Sequence, residues 1–167
     1  MLGWHFLKDD GAMQWPCGRV LKPKVGQTLT RDPDKLELCV YGLHASVRLI
    51  DALQYAPGAL LCRVELGGKI LRDTDKVVAS ERTVLSMFDA TRTLHEFAVW
   101  CAREALAQVK DPDKQRPTQR LARHPWPFLQ AMPLSHRARW DAARAASRDA
   151  QNKKLTKMVT AAMREIP

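Results

Sequence analysis

Apolar positions follow two different rhythms along the chain. Up to about residue 70 they come in short bursts, broken by glycine and proline. Beyond residue 80 they recur every three or four positions. The first rhythm predicts strands and turns, the second helices. Trp4, Phe6 and Leu7 predict a short opening strand. Lys8-Asp9-Asp10-Gly11 predicts a turn, because Asp-Gly readily takes the positive φ that tight turns need. Met13 to Trp15 predicts a returning strand, and Pro16, Gly18, Pro23 and Gly26 punctuate the residues after it. Lys24 to Leu29 reads as a further strand or turn and Asp32-Pro33-Asp34 as a loop. Leu36, Leu38 and Val40 alternate like a strand leading to Tyr41.

Residues Cys39 to Gly68 read strand, turn, short helix, turn, strand. Ser46 to Tyr55 is the helix, with Ser46 as its N-cap and Leu49, Ile50 and Leu53 on one face. Pro57-Gly58 ends it. Ala59 to Leu66 predicts a central strand, and Gly67-Gly68 a turn. Ser80 is expected to cap a helical region carrying Val84, Leu85, Met87 and Phe88. Thr91 to Val109 predicts a second helix, with Leu94, Phe97, Ala98, Cys101, Ala105 and Leu106 on one broad face. Whether Asp89-Ala90 separates the two is open at this level. Lys110 to Pro117 has linker composition, and His124-Pro125-Trp126-Pro127-Phe128 is a proline-locked extended segment. Ser135 then caps a helix reaching about Glu165, whose apolar stripe includes Trp140, Ala143, Leu155, Met158, Val159, Met163 and Ile166.

These elements predict an α+β fold: a small mixed or antiparallel sheet, packed helices and a basic helical C-terminal extension. The expected divisions are an α+β domain over 1–109, a linker with the proline-locked segment over 110–134, and a basic amphipathic helix over 135–167. A chain of 167 residues can bury a core without disulfides. No apolar run approaches the roughly 20 residues that span a bilayer. The opening MLGWHFLKDDG lacks a basic n-region, so no secretory signal is expected and the expected location is cytoplasmic.

The formal net charge of +9 is unevenly spread. Residues 1–110 hold 15 Lys/Arg against 13 Asp/Glu, whereas residues 111–167 hold 12 against 5. Arg137, Arg144, Arg148, Lys153, Lys154 and Lys157 lie largely off the apolar stripe of the last helix. They form a candidate surface for an acidic protein or nucleic acid. Asp141 and Asp149 dilute that face, and no sequence-specific nucleic-acid motif accompanies it. The stripe itself could serve a helix-mediated protein contact or a homo-oligomer.

Polar chemistry concentrates in Cys39–Gly68, which holds His44, Ser46, Asp51, Tyr55 and Arg63. Each has a plain reading beside a functional one. An imidazole at a strand-to-helix turn can satisfy nearby backbone groups. Ser46 can be only a cap, Asp51 a solvated position or a partner for Arg48 or Arg63, and Tyr55 a packing residue. Cys39, His44 and Cys62 are conceivable zinc ligands, but their spacing matches no familiar pattern, so no metal is expected.

The pattern GLHAS, short helix, YAPG, CRVELGG, then Asp75-Lys76-Val77-Val78-Ala79 and Leu94-His95-Glu96-Phe97-Ala98, resembles a family of uncharacterised domains of tailed bacteriophages and prophages, over residues 1 to about 108. That resemblance implies an accessory protein acting in the host cytoplasm during infection. More distantly, Gly42 to Ser46, Ala52, Tyr55 and Leu60 to Gly67 are similar to the NAD-binding core of ADP-ribosyltransferases. By that similarity Tyr55 would stack on nicotinamide, His44 would stand where that family places a tyrosine, and His5 would be the early histidine. No late strand bearing the family's glutamate is evident. The leading expectation is a non-enzymatic, cofactor-free binding protein for an acidic partner, such as a host defence component or nucleic acid. The alternatives are an NAD-dependent ADP-ribosyltransferase-like enzyme centred on His44 and Tyr55, and a virion structural or assembly protein.

Overall fold

The computed structural model describes residues 1–14, 20–109 and 134–165. The expected linker, the proline-locked segment, Cys17 and Ile166 lie outside the described residues, as do the side chains of Arg137, Trp140, Ala143 and Arg144. In order, the elements are β1 (Leu2–Leu7), β2 (Met13–Gln14), β3 (Val20–Leu21), β4 (Thr28–Thr30), β5 (Leu43–Ala45), α1 (Leu49–Leu53), β6 (Leu60–Arg72), β7 (Val77–Asp89), α2 (Thr91–Val109) and α3 (Leu134–Arg164). The fold is α+β, and its main sheet is antiparallel.

That sheet has five strands in the order β1-β6-β7-β4, with β5 also paired to β7. The long β6–β7 hairpin is its spine. β4 and β5 lie end to end along the far edge of β7, opposite Glu81–Thr83 and Val77–Ala79. Beyond β5 the sheet curls back on itself. Ser46 exchanges two main-chain hydrogen bonds with Trp4 of β1, at 2.8 and 2.9 Å.

The two faces of the sheet are packed differently. Trp4 and Phe6 of β1, Leu61 of β6 and Phe88 of β7 point to one face, where they meet α1, Phe97 of α2, and Leu155 and Val159 of α3. Leu155 and Val159 are fully buried, so α3 is part of the same core as β1. Strand alternation sends His5 and Leu7 to the other face. There Leu7, Cys62, Val64, Leu66 and Val84 form a second cluster inside the curl.

Several expected elements are different in the structure. The region after Ser80 is a strand, not a helix. Its apolar spacing looked helical because a bulge sits where Arg63/Val64 oppose Ser86/Val84, and the bulge resets the alternation mid-strand. Gly67-Gly68 is likewise a bulge inside β6 rather than a turn. Gly68 has φ +63, and a Cβ there would collide with Ser80 Oγ. Leu36 to Val40 is no strand; a 3-10 turn at Pro33–Lys35, capped by Asp32, leads into it. The strand at Met13 pairs with β3 instead of returning on β1. Ser46 is not a helix cap, because its backbone is committed to Trp4, and α1 starts after Arg48. Asp51 is buried, not solvated. Its Oδ1 accepts from Arg148 Nε and Nη2 at 3.1 and 2.9 Å, and Arg48 lies 3.7 Å from Oδ2.

Candidate functional site

The site begins at the Trp4–Ser46 pair. Antiparallel pairing adds residues on one strand while subtracting on the other, so the next hydrogen-bonding pair would be Phe6 with His44. No ladder forms there. Instead Arg82 of β7 reaches into the seam, and its Nη1 donates to the His44 carbonyl at 2.7 Å. The guanidinium thus takes the acceptor that a continued ladder would give to the Phe6 amide, and β1 and β5 splay apart.

The splayed seam is a two-lobed cleft. One lobe, about 320 Å³, is mostly apolar and is lined by Trp4, Phe6, Ala45, Ala52 and Tyr55, with Cys39 and Lys76 at its rim. The other, about 210 Å³, is lined by Lys8, Ala12, Met13, Gly42, Pro57 and Arg82. His5, Phe6, His44 and Tyr55 border both. Gly42 is required where it stands: its φ is +135, and a Cβ would run into Val78 and Leu36.

Arg82 is 1% exposed. Among the described residues it has no carboxylate partner. Nη2 donates to Met13 Sδ at 3.2 Å, a weak acceptor, and Nε is buried with no hydrogen-bond partner among the described residues. Burial brings its pKa down to about 10, with the Cys62 thiol opposing. That thiol cannot serve as counter-ion at neutral pH, since its own burial pushes it up to about 11. The nearby histidines respond to the same charge. His5 lies well below the usual imidazole range through burial, then Arg82, then His44. His44 is lowered by burial, then Arg82 and Lys76, against a main-chain hydrogen bond with Gly42. Neither imidazole can carry negative charge, so neither compensates Arg82.

His44 also has a structural task. Its Nε2 accepts from the Cys39 amide at 3.1 Å, which holds Cys39 at φ 67. Tyr55 donates to Asp75 Oδ2 at 2.7 Å, and Lys76 lies 5.2 Å from its ring centroid. The tip of the β6–β7 hairpin is thereby tied to the end of α1, walling the apolar lobe. Asp75, first among its neighbours, raises the Tyr55 pKa; the Cys39 thiol, first among several, raises that of Lys76.

His5, His44 and Tyr55, named from separate stretches of sequence, therefore meet at one cleft. Arg63 does not join them; it lies over the Trp4 ring at 4.3 Å. Among the described residues no group of three or more His, Cys, Asp or Glu could hold a metal, the Cys39, His44 and Cys62 trio included. On α3, Arg148 is engaged with Asp51, Arg48 reaches Asp149 at 2.7 Å, and Lys154 lies over Trp100 at 5.7 Å. Lys153 and Lys157 are exposed. The residue that sequence reasoning missed is Arg82. A lone arginine between Val78 and Val84, at strand spacing, was its signal, hidden by the helical reading of that segment.

Fold and cleft together define an α+β domain with a ligand-sized, positively charged seam in its sheet. The chain belongs to the family described as a domain of unknown function (DUF7666), whose family model matches residues 1–96. That match includes every residue lining both lobes. No curated protein and no solved structure matches the chain. No helix among the described residues is long and apolar enough to cross a membrane.

Proposed function

We propose that this domain binds a small-molecule ligand in the seam between β1 and β5. The observation that carries the proposal is the convergence of His5, His44 and Tyr55 on one cleft with an apolar, aromatic lobe. Such a lobe beside a few placed polar groups is the usual form of a small-ligand site. The proposal is one of binding; among the described residues lining the two lobes there is no carboxylate. NAD, as the distant similarity to ADP-ribosyltransferases implies, is the first ligand to try. A thermal-shift screen of nucleotides and central metabolites, NAD among them, tests the reading. Binders should be found, and Tyr55→Ala should weaken them about tenfold. A folded protein that binds none, or binders indifferent to Tyr55→Ala, would overturn it.

A second reading rests on Lys153 and Lys157, which stand exposed one turn apart on α3. In it the domain is a phage accessory protein that docks an acidic macromolecule on this face. Pull-down from host lysate with and without nuclease, using Lys153→Glu/Lys157→Glu as control, tests it. Capture unchanged by the double variant would remove it.

A further inference from the structure

The lobe around Arg82 has a chemistry that the cleft reading alone does not specify. A guanidinium carries five N–H donors in a fixed fork. Here one meets a carbonyl, one meets a thioether, and Nε meets no acceptor among the described residues. The group is almost fully buried, and no described carboxylate neutralises it. A buried charge left unpaired is strongly unfavourable, and proteins normally retain one only beside a counter-ion. The other ionisable residues lining the lobe, Lys8, His5, His44 and Tyr55, include no carboxylate; Asp10 and Asp75 near it are engaged with the Ala12 amide and the Tyr55 hydroxyl.

Resting on the reading of the seam as a ligand site, we propose that the Arg82 lobe is an oxyanion subsite: the ligand carries a terminal carboxylate or phosphate that seats against the Arg82 guanidinium, with Lys8 at the rim. The anion supplies the acceptors that the guanidinium lacks. The apolar lobe then takes the remainder of the same molecule, reached past Phe6 and Tyr55. The guanidinium is held in place before the anion arrives, since the His44 carbonyl and Met13 Sδ fix two of its nitrogens. Little ordering is left for the ligand to impose.

Inorganic phosphate and acetate, each titrated by calorimetry into the full chain at constant ionic strength, are the probes. Saturable binding of at least one is expected; phosphate alone marks a phosphorylated ligand, acetate alone a carboxylic acid. Lys8→Ala should weaken the bound anion several-fold, and Arg82→Met should weaken it about tenfold or more, as loss of a charge-assisted contact does. Because Arg82 is buried, circular dichroism of that variant is required. Should it fail to fold, the exposed Lys8→Ala site and anion-dependent shifts of the His5 and His44 imidazole resonances in the wild type decide the matter. If neither probe binds saturably, or if Lys8→Ala and a folded Arg82→Met bind as the wild type does, the subsite is wrong. Metabolites that still bind and respond to Tyr55→Ala would then leave the cleft reading standing by itself.

Discussion

The two faces of the central sheet are packed to different ends. The helix-covered face closes on Trp4, Phe6, Leu61, Phe88, Phe97, Leu155 and Val159, and the polar group near it, Asp51, is matched by Arg148 and Arg48. The face inside the curl packs Leu7, Cys62, Val64, Leu66 and Val84, yet it holds Arg82 without a matching anion and His5 in a poorly solvated place. A core built only for stability would place an apolar residue there. On the proposed reading, the contrast separates what holds the domain together from what would meet a ligand.

The largest expected effect belongs to the helix-covered face. Leu155→Ala should cost about 2–5 kcal/mol, the range for deleting a fully buried leucine, read from denaturant unfolding. A loss under about 1 kcal/mol would mean that α3 packs loosely and the faces differ less than described. Arg82→Met should behave differently. Met removes a buried, unpaired charge but strands the His44 carbonyl that Arg82 satisfies, so the two effects oppose and the net change should be smaller than that of Leu155→Ala, within about 1–3 kcal/mol. Asp51→Asn comes next, at about 1–3 kcal/mol lost, because it removes the charge that Arg148 and Arg48 share. Its partial rescue by Arg148→Gln in a double-mutant cycle would confirm that the pair acts as a unit.

The smallest effect is a pH dependence. His5 and His44 have folded pKa values below the ordinary 6.5. Below that pH the unfolded chain binds protons that the folded chain does not, so stability is lost as pH falls from 6.5 toward the folded values. The urea midpoint should therefore drop between pH 7.5 and 5.5, and a His5→Gln/His44→Gln variant should show a flatter profile over that range.

How far the sequence revealed this contrast depends on which face is considered. The apolar rhythms of Thr91–Val109 and of Leu155, Met158 and Val159 are regular, and helix α2 begins and ends where they place it. His44 and Tyr55 stood out because they sit among turn-forming glycines and proline. The inner face was harder to read, for a physical reason: bulges at Val84–Ser86 and Gly67-Gly68 break the period-two pattern of β6 and β7. Broken alternation with Val84, Leu85, Met87 and Phe88 mimics a helix, and on a helix Arg82 is an ordinary solvated residue. Ser46 misled in a related way. A serine before an apolar run reads as a cap, while its role in pairing with Trp4 depends on a residue 42 positions away. The basic third of the chain showed its charge but not its partners; Asp51, distant in sequence, takes Arg148.

The central claim is that Arg82 awaits an anion, and paired thermal unfolding of the wild type and Arg82→Met, with and without phosphate or acetate at constant ionic strength, tests it most directly. The account predicts that the wild-type midpoint rises with the bound anion, as linkage requires. The folded variant should not respond. A wild type whose midpoint does not move with either anion, or a folded variant that gains as much from the anion as the wild type does, would contradict it.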